Sequence, residues 1–170
     1  MLKTILAVAA LIVAPTVGNS KGAESVRYPT VGNPALVISV PDGWTRKLST
    51  SGIQPQPFLL TSAHHVEVAT IILANLATPE AFARTISAFS HLQMRNAAPT
   101  QLLGFPAYMF DASFTDVAGT LINMHVIQAK LDKSHMALIE IRSPSKGPNA
   151  RELAEGKHIL ETLKFASILQ

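Results

Sequence analysis

His64 and His65, followed two positions later by Glu67, are the residues with the most chemical promise in this chain. Imidazole nitrogens and carboxylates bind zinc, and a tight site takes three or four such ligands. In an extended segment, neighbouring side chains point to opposite faces. His65 and Glu67 would then share a face, and His64 would not. His64, His65 and Glu67 are the metal candidates; the plainer expectation for them is a solvated hairpin tip.

His125 and Glu140 form the second candidate pair. If Asp132-Lys133 makes a two-residue hairpin loop, Leu131 faces Ser134 and His125 faces Glu140. An imidazole beside a carboxylate can serve as a general base with its orienter. The pairing depends on register, and a slip of one residue parts it. Ser113 and Ser143 lie nearby but sit in no G-x-S-x-G context. Asp111 and Asp116 near one loop, and Asp132 near another, lack the spacing of a calcium loop. His91, His135 and His158 are isolated along the chain.

Other reactive patterns are missing from the sequence. It has no H-E-x-x-H, Walker loop or G-x-G-x-x-G. It also has no cysteine, which excludes a disulfide framework, a thiolate metal site and a cysteine nucleophile. The expectation is a protein that is not an enzyme, with no catalytic residue, no cofactor-binding residue and no cofactor.

The elements that would position these side chains can be read in order. Met1 to Ser20 has the layout of a secretory signal peptide: Lys3, an apolar run from Ile5 to Ala14, then Pro15 and the small residues Gly18 and Ser20. The apolar run is about half of the ~20 residues a spanning helix needs. With no cysteine at the cleavage point, a lipid anchor there is excluded. The expected location is periplasmic or secreted, by Sec-type export from a bacterium, with no transmembrane segment after cleavage. Residues 21–34 read as a flexible lead-in, and residues 35–168 as a single domain.

In Leu36-Val37-Ile38-Ser39-Val40 the apolar residues alternate at strand spacing. Pro41-Asp42-Gly43 is a turn, because proline presets φ, aspartate caps its own backbone and glycine accepts positive φ. Trp44, the sole tryptophan, follows as an anchor. Phe58–Thr61 and Val66–Leu73 read as a hairpin around Ser62–His65. Thr78-Pro79-Glu80 opens a helix as N-cap, first-turn proline and first-turn acid. Phe82, Ile86 and Phe89 give it one apolar stripe, and Arg95-Asn96 and Pro99 end it. Gly104-Phe105-Pro106 is a turn. Ala107–Phe114, Thr120–Leu131 and His135–Arg142 then form an antiparallel meander with short connections. Asn149 caps a last helix that runs to about Leu163 and contains Gly156.

A chain of 170 residues with 48% hydrophobic and 15% charged content is ordinary for one folded domain. Its formal charge of +3 is small, and Arg46-Lys47 is the only adjacent basic pair. Nucleic-acid binders gather such residues on one face, so no nucleic-acid partner is expected.

Strands, helix, three strands and helix in antiparallel order imply an α+β fold, an antiparallel sheet flanked by helices. The order of motifs resembles the PsbP-like superfamily. An early strand ends in Pro-x-Gly-Trp, here Pro41, Gly43 and Trp44. A Gly-x-Pro-Ala element precedes the meander, here Gly104, Pro106 and Ala107. The closing helix ends in Leu-x-Phe, here Leu163 and Phe165. The resemblance covers roughly residues 35–166 and implies an α/β/α sandwich. Members include the extrinsic protein of photosystem II, a Ran-binding import factor, DcrB-like bacterial envelope proteins and chaperones of secretion effectors. An export signal points away from the import factor and the cytoplasmic chaperones. The resemblance thus implies a non-catalytic envelope module that binds a protein partner or assists assembly. The alternative is a periplasmic small-molecule or metal binder.

Overall fold

The computed structural model describes residues 24–32, 34–48, 56–147 and 150–166. The expected signal peptide lies outside them, as do Asn149 and most of the loop between Ser49 and Pro57.

Two antiparallel sheets and two helices make up the fold. The small sheet has the order β1-β2-β10, from β1 (Glu24–Tyr28), β2 (Ala35–Val40) and β10 (Lys164–Ala166). The large sheet has the order β3-β4-β5-β9-β8-β7-β6. Its strands are β3 (Thr45–Leu48), β4 (Phe58–Thr61), β5 (Glu67–Ala74), β6 (Arg95–Leu102), β7 (Phe105–Thr115), β8 (Leu121–Lys130) and β9 (His135–Pro144). Helix α1 (Pro79–Phe89) and helix α2 (Ala150–Thr162) follow β5 and β9.

Two apolar layers explain this arrangement. Along β8, alternate residues face opposite sides of the sheet. Val126 and Met124 join Phe110 and Ala83 under α1. Ile127 and Ala129 join Ile139, Ile141 and Ile159 on the α2 side. The small sheet shares that second layer. Tyr28 stacks on Phe58 at 5.7 Å between ring centroids, and Phe105 meets Phe165 at 5.0 Å. The antiparallel α+β architecture is as expected. The molecule is dominated by its sheets, however, and each helix covers only part of one face.

The Pro-Asp-Gly turn forms, with Gly43 at φ +81° and the Trp44 amide donating to the Pro41 carbonyl at 3.2 Å. Trp44 is buried, and its indole N–H donates to Glu155 Oε2 on α2 at 3.0 Å. Thr78 caps α1 by accepting the Ala81 amide at 3.2 Å. Among the described side chains of this helix Ala83 and Ser87 are the most buried, flanked by the half-buried Phe82 and Ile86. The small Ala83 lets the helix sit close to the sheet.

Three expectations need correction. Residues 24–28 of the supposed flexible lead-in are strand β1, paired with β2 from Glu24↔Val40 to Tyr28↔Leu36. Buried Tyr28 and half-buried Val26 tie that strand to the core. Arg95 to Leu102 is not merely a helix end but the edge strand β6. A proline removes a ladder donor and is tolerated where one side of the strand is unpaired, which is the position of Pro99. The turn before the meander is Leu103-Gly104, both at positive φ, joining Leu102 to Phe105. This is the two-residue hairpin geometry that matches strand twist. Phe105 and Pro106 lie within β7.

Candidate functional site

The β8–β9 register decides where His125 goes. Asp132 Oδ1 accepts the backbone amides of Ser134 at 2.7 Å and His135 at 2.8 Å. This cap holds a three-residue loop, and the Leu131 amide closes onto the His135 carbonyl at 3.0 Å. Every β8 residue is therefore shifted by one against the two-residue expectation. His125 faces Ile141, and Glu140 faces Val126. The expected His125–Glu140 pair is overturned, because the two side chains lie on opposite faces of the sheet.

His125 instead meets Asp111 across the β7–β8 ladder, with Nδ1 2.8 Å from Asp111 Oδ1. A β-bulge between Arg95 and Ala98 puts an extra residue into β6, with Asn96 at φ +52°. Bulges re-aim side chains. Here Asn96 Nδ2 donates to Asp111 Oδ2 at 2.7 Å, so both carboxylate oxygens are engaged. Burial pushes the Asp111 carboxyl up, but the hydrogen bonds from Asn96 and His125 and the Arg95 charge outweigh it, and the net shift is downward. An ionised carboxylate only accepts, so it fixes the proton of a neutral His125 on Nδ1. Nε2 is left as the free position, with no partner among the described residues.

The pair lies on the wall of a groove of about 930 Å³ between α2 and the α2-side face of the large sheet. Helix α2 covers β9 and stops short of β6 and β7, and this leaves the concavity. Leu102, Ile127, Ile141, Leu153 and Leu160 give it aliphatic walls. Asn96, Asn123, His125 and Ser143 supply polar groups, and Arg95 from β6 and Lys157 from α2 line it as well. Arg95 Nη2 reaches Ser113 Oγ at 3.4 Å, and Glu161 on the rim accepts from His158 at 3.1 Å.

The first candidates separate. His64 Nδ1 lies 2.7 Å from Glu152 Oε1 on α2, and the His64 amide donates to Glu152 Oε2 at 3.1 Å. The buried Ser62 hydroxyl donates to the same carboxylate and accepts the Val66 amide at 3.0 Å. Those hydrogen bonds, Ser62 first and then His64, pull the Glu152 carboxyl down. His65 turns outward at φ +62° and is exposed. Glu67 pairs with Arg142 at 3.3 Å, and Arg142 also binds Glu140 through Nε at 2.8 Å, on the α1 side of the sheet. Thus His64, His65 and Glu67 do not converge. Among the described residues, no group of three His, Asp or Glu side chains is placed to hold a metal ion. The hairpin tip serves as a tie between the sheet and α2.

Asp132, Ser134 and His135 have the residue types of a hydrolytic triad, but their geometry is wrong for one. Ser134 Oγ at 3.1 Å and both Asp132 oxygens at 3.0 and 2.9 Å crowd the same nitrogen, His135 Nδ1. A triad needs the nucleophile on one ring nitrogen and the acid on the other.

Sequence reading flagged His125 but missed Asn96, Arg95 and Lys157 as its neighbours. The bulge that aims Asn96 has no sequence signature beyond a run of polar residues before Pro99.

Antiparallel sheets with one helix packed against each face of the large sheet give a PsbP-like fold, as the likeness to a solved PsbP structure shows. No protein-family model matches the sequence, and no curated protein does. Solved structures do match in fold. LpqN, involved in cell envelope biogenesis of Mycobacterium tuberculosis, superimposes with a TM-score of 0.57 at 14% identity, over 85% of this chain and 90% of that one. Cyanobacterial PsbP (CyanoP) from Synechocystis gives 0.57 at 10% identity, over 88% and 96%. A protein of Bacteroides thetaiotaomicron gives 0.53 at 13% identity, where the match spans 79% of this chain but 46% of the other. At these identities the likeness is one of fold. No described helix is long and apolar enough to cross a membrane.

Proposed function

We propose that this chain is an exported, non-catalytic module of the bacterial cell envelope that works by binding a protein partner. The groove beside α2 carries this reading, because it joins aliphatic walls to polar side chains on one face of the sheet. Interfaces combine an apolar centre with such a polar rim. Two further features support it. The fold is shared with LpqN, a protein of envelope biogenesis. The sole hydrogen-bond partner of the His125 ring among the described residues is Asp111, so the pair has an orienter but no nucleophile beside it.

A comparison of affinity purifications from native envelope tests the proposal, using the wild-type chain and Asn123→Trp. Asn123 is exposed on the groove wall, and a tryptophan there narrows the groove without replacing a buried residue. One specific partner should be recovered with wild type and lost with the variant. Identical recovery by both would place the interface elsewhere.

The groove volume favours a second reading, a periplasmic small-molecule binder. Pockets for compact ligands span about 300–1,000 Å³, and about 930 Å³ falls in that range.

A further inference from the structure

We infer that the groove takes an amphipathic anion, an aliphatic chain ending in a carboxylate or phosphate head; this deepens the small-molecule reading of the same site. The walls set the body of the ligand. Leu102, Ile127, Ile141, Leu153 and Leu160 present side chains that gain free energy only by covering an apolar surface. None of the five is aromatic, so the surface suits a flexible aliphatic chain better than a stacked ring.

An imbalance between donors and acceptors sets the head. Both Asp111 oxygens are held, one by His125 and one by Asn96, and the Glu161 carboxylate holds His158. The cations make fewer direct contacts, although the Arg95 charge acts on the Asp111 carboxylate. Among the described residues Lys157 has no hydrogen-bond or ion-pair partner, and it lies exposed on the α2 wall. The five N–H donors of Arg95 make a single contact, to Ser113 at 3.4 Å. Two cations lining an apolar groove, with both Asp111 oxygens and one Glu161 oxygen already hydrogen-bonded, are complementary to a head group that carries negative charge and several acceptor oxygens. Asn123 also lines the groove and adds an amide donor.

Dansylaminoundecanoic acid and its methyl ester, titrated by fluorescence into the purified chain, separate the parts of this inference. The acid should bind saturably, one per chain, and more tightly than the ester. Lys157→Gln with Arg95→Gln should weaken the acid about tenfold and leave the ester within about twofold, because each exposed charge contributes up to about 1 kcal/mol. Both substitutions are at exposed positions, and the thermal midpoint should not move. Dodecanoate and dodecyl phosphate, used as competitors, identify which head is preferred; displacement by either supports the inference. Equal binding of acid and ester, or an unchanged acid affinity in the double variant, overturns the anionic head while the small-molecule reading stands. No saturable binding of either probe, or binding undiminished by Asn123→Trp, overturns the small-molecule reading itself.

Discussion

His125 Nδ1 lies 2.8 Å from Asp111 Oδ1, on the neighbouring strand and inside the groove that α2 leaves open. The carboxylate holds the imidazole in one tautomer, and Asn96 holds the carboxylate. The arrangement is a hydrogen-bonded polar wall beside an aliphatic one.

The hairpin cap at Asp132 sets the register that creates this pair, and it makes stability depend on pH. Burial raises the Asp132 carboxyl, but the Ser134 backbone amide, His135 and the Ser134 hydroxyl together lower it to about 2. The folded value is therefore below the ordinary value near ~3.9. Its contribution is complete above the unfolded value and is lost as pH falls toward about 2. Asp132→Asn keeps the shape of the cap and removes the titration. Urea midpoints followed from neutral pH into this window should fall less steeply in the variant than in wild type.

Gln128 is fully buried on the α1 side of β8, and neither its amide nitrogen nor its oxygen has a partner among the described residues. Leaving such groups unpaired costs about 1–3 kcal/mol. Gln128→Met is close in shape and has no such atoms. Equilibrium unfolding in urea should show the variant more stable by about that amount. A less stable variant would mean that the amide is satisfied in solution.

Ser62 joins the hairpin tip to α2, and its substitution should be costly. Ser62→Ala leaves the buried Val66 amide without its acceptor and removes a donor from Glu152. A loss of about 1–3 kcal/mol is expected in the same unfolding assay. Amide exchange should quicken at Val66 while the far end of the sheet is unaffected.

Gly156 sits in the middle of α2 and is buried. An added methyl group would meet Ile141 and Val66 at 3.5 Å and Trp44 at 3.6 Å, which is ordinary contact. The helix needs no positive φ there, so Gly156→Ala should stabilise the protein by up to about 1 kcal/mol, read as a higher thermal midpoint.

The legible parts of the sequence were those where one residue type has one physical use. Thr78-Pro79-Glu80 could hardly be other than a helix start, and Pro41-Asp42-Gly43-Trp44 gave the turn and its anchor. Strand β6 was hidden because Pro99 argues against a strand unless its edge position is known, and that depends on the other six strands. The site was hidden for a related reason. A single carboxylate, Asp132, lengthened a loop by one residue and moved His125 to the opposite face from Glu140. Local sequence could not weigh that cap against a tighter turn.

The central claim is that this molecule acts by binding at the α2 groove. A photo-crosslinking residue placed at Lys157, on the groove wall, tests it in the living envelope against the same residue placed at Leu76, which is 85% exposed and does not line the groove. Crosslinked adducts should form at position 157 and not at position 76, and Asn123→Trp should abolish them. Adducts at 76 alone, or adducts at 157 that persist when the groove is narrowed, would contradict the account.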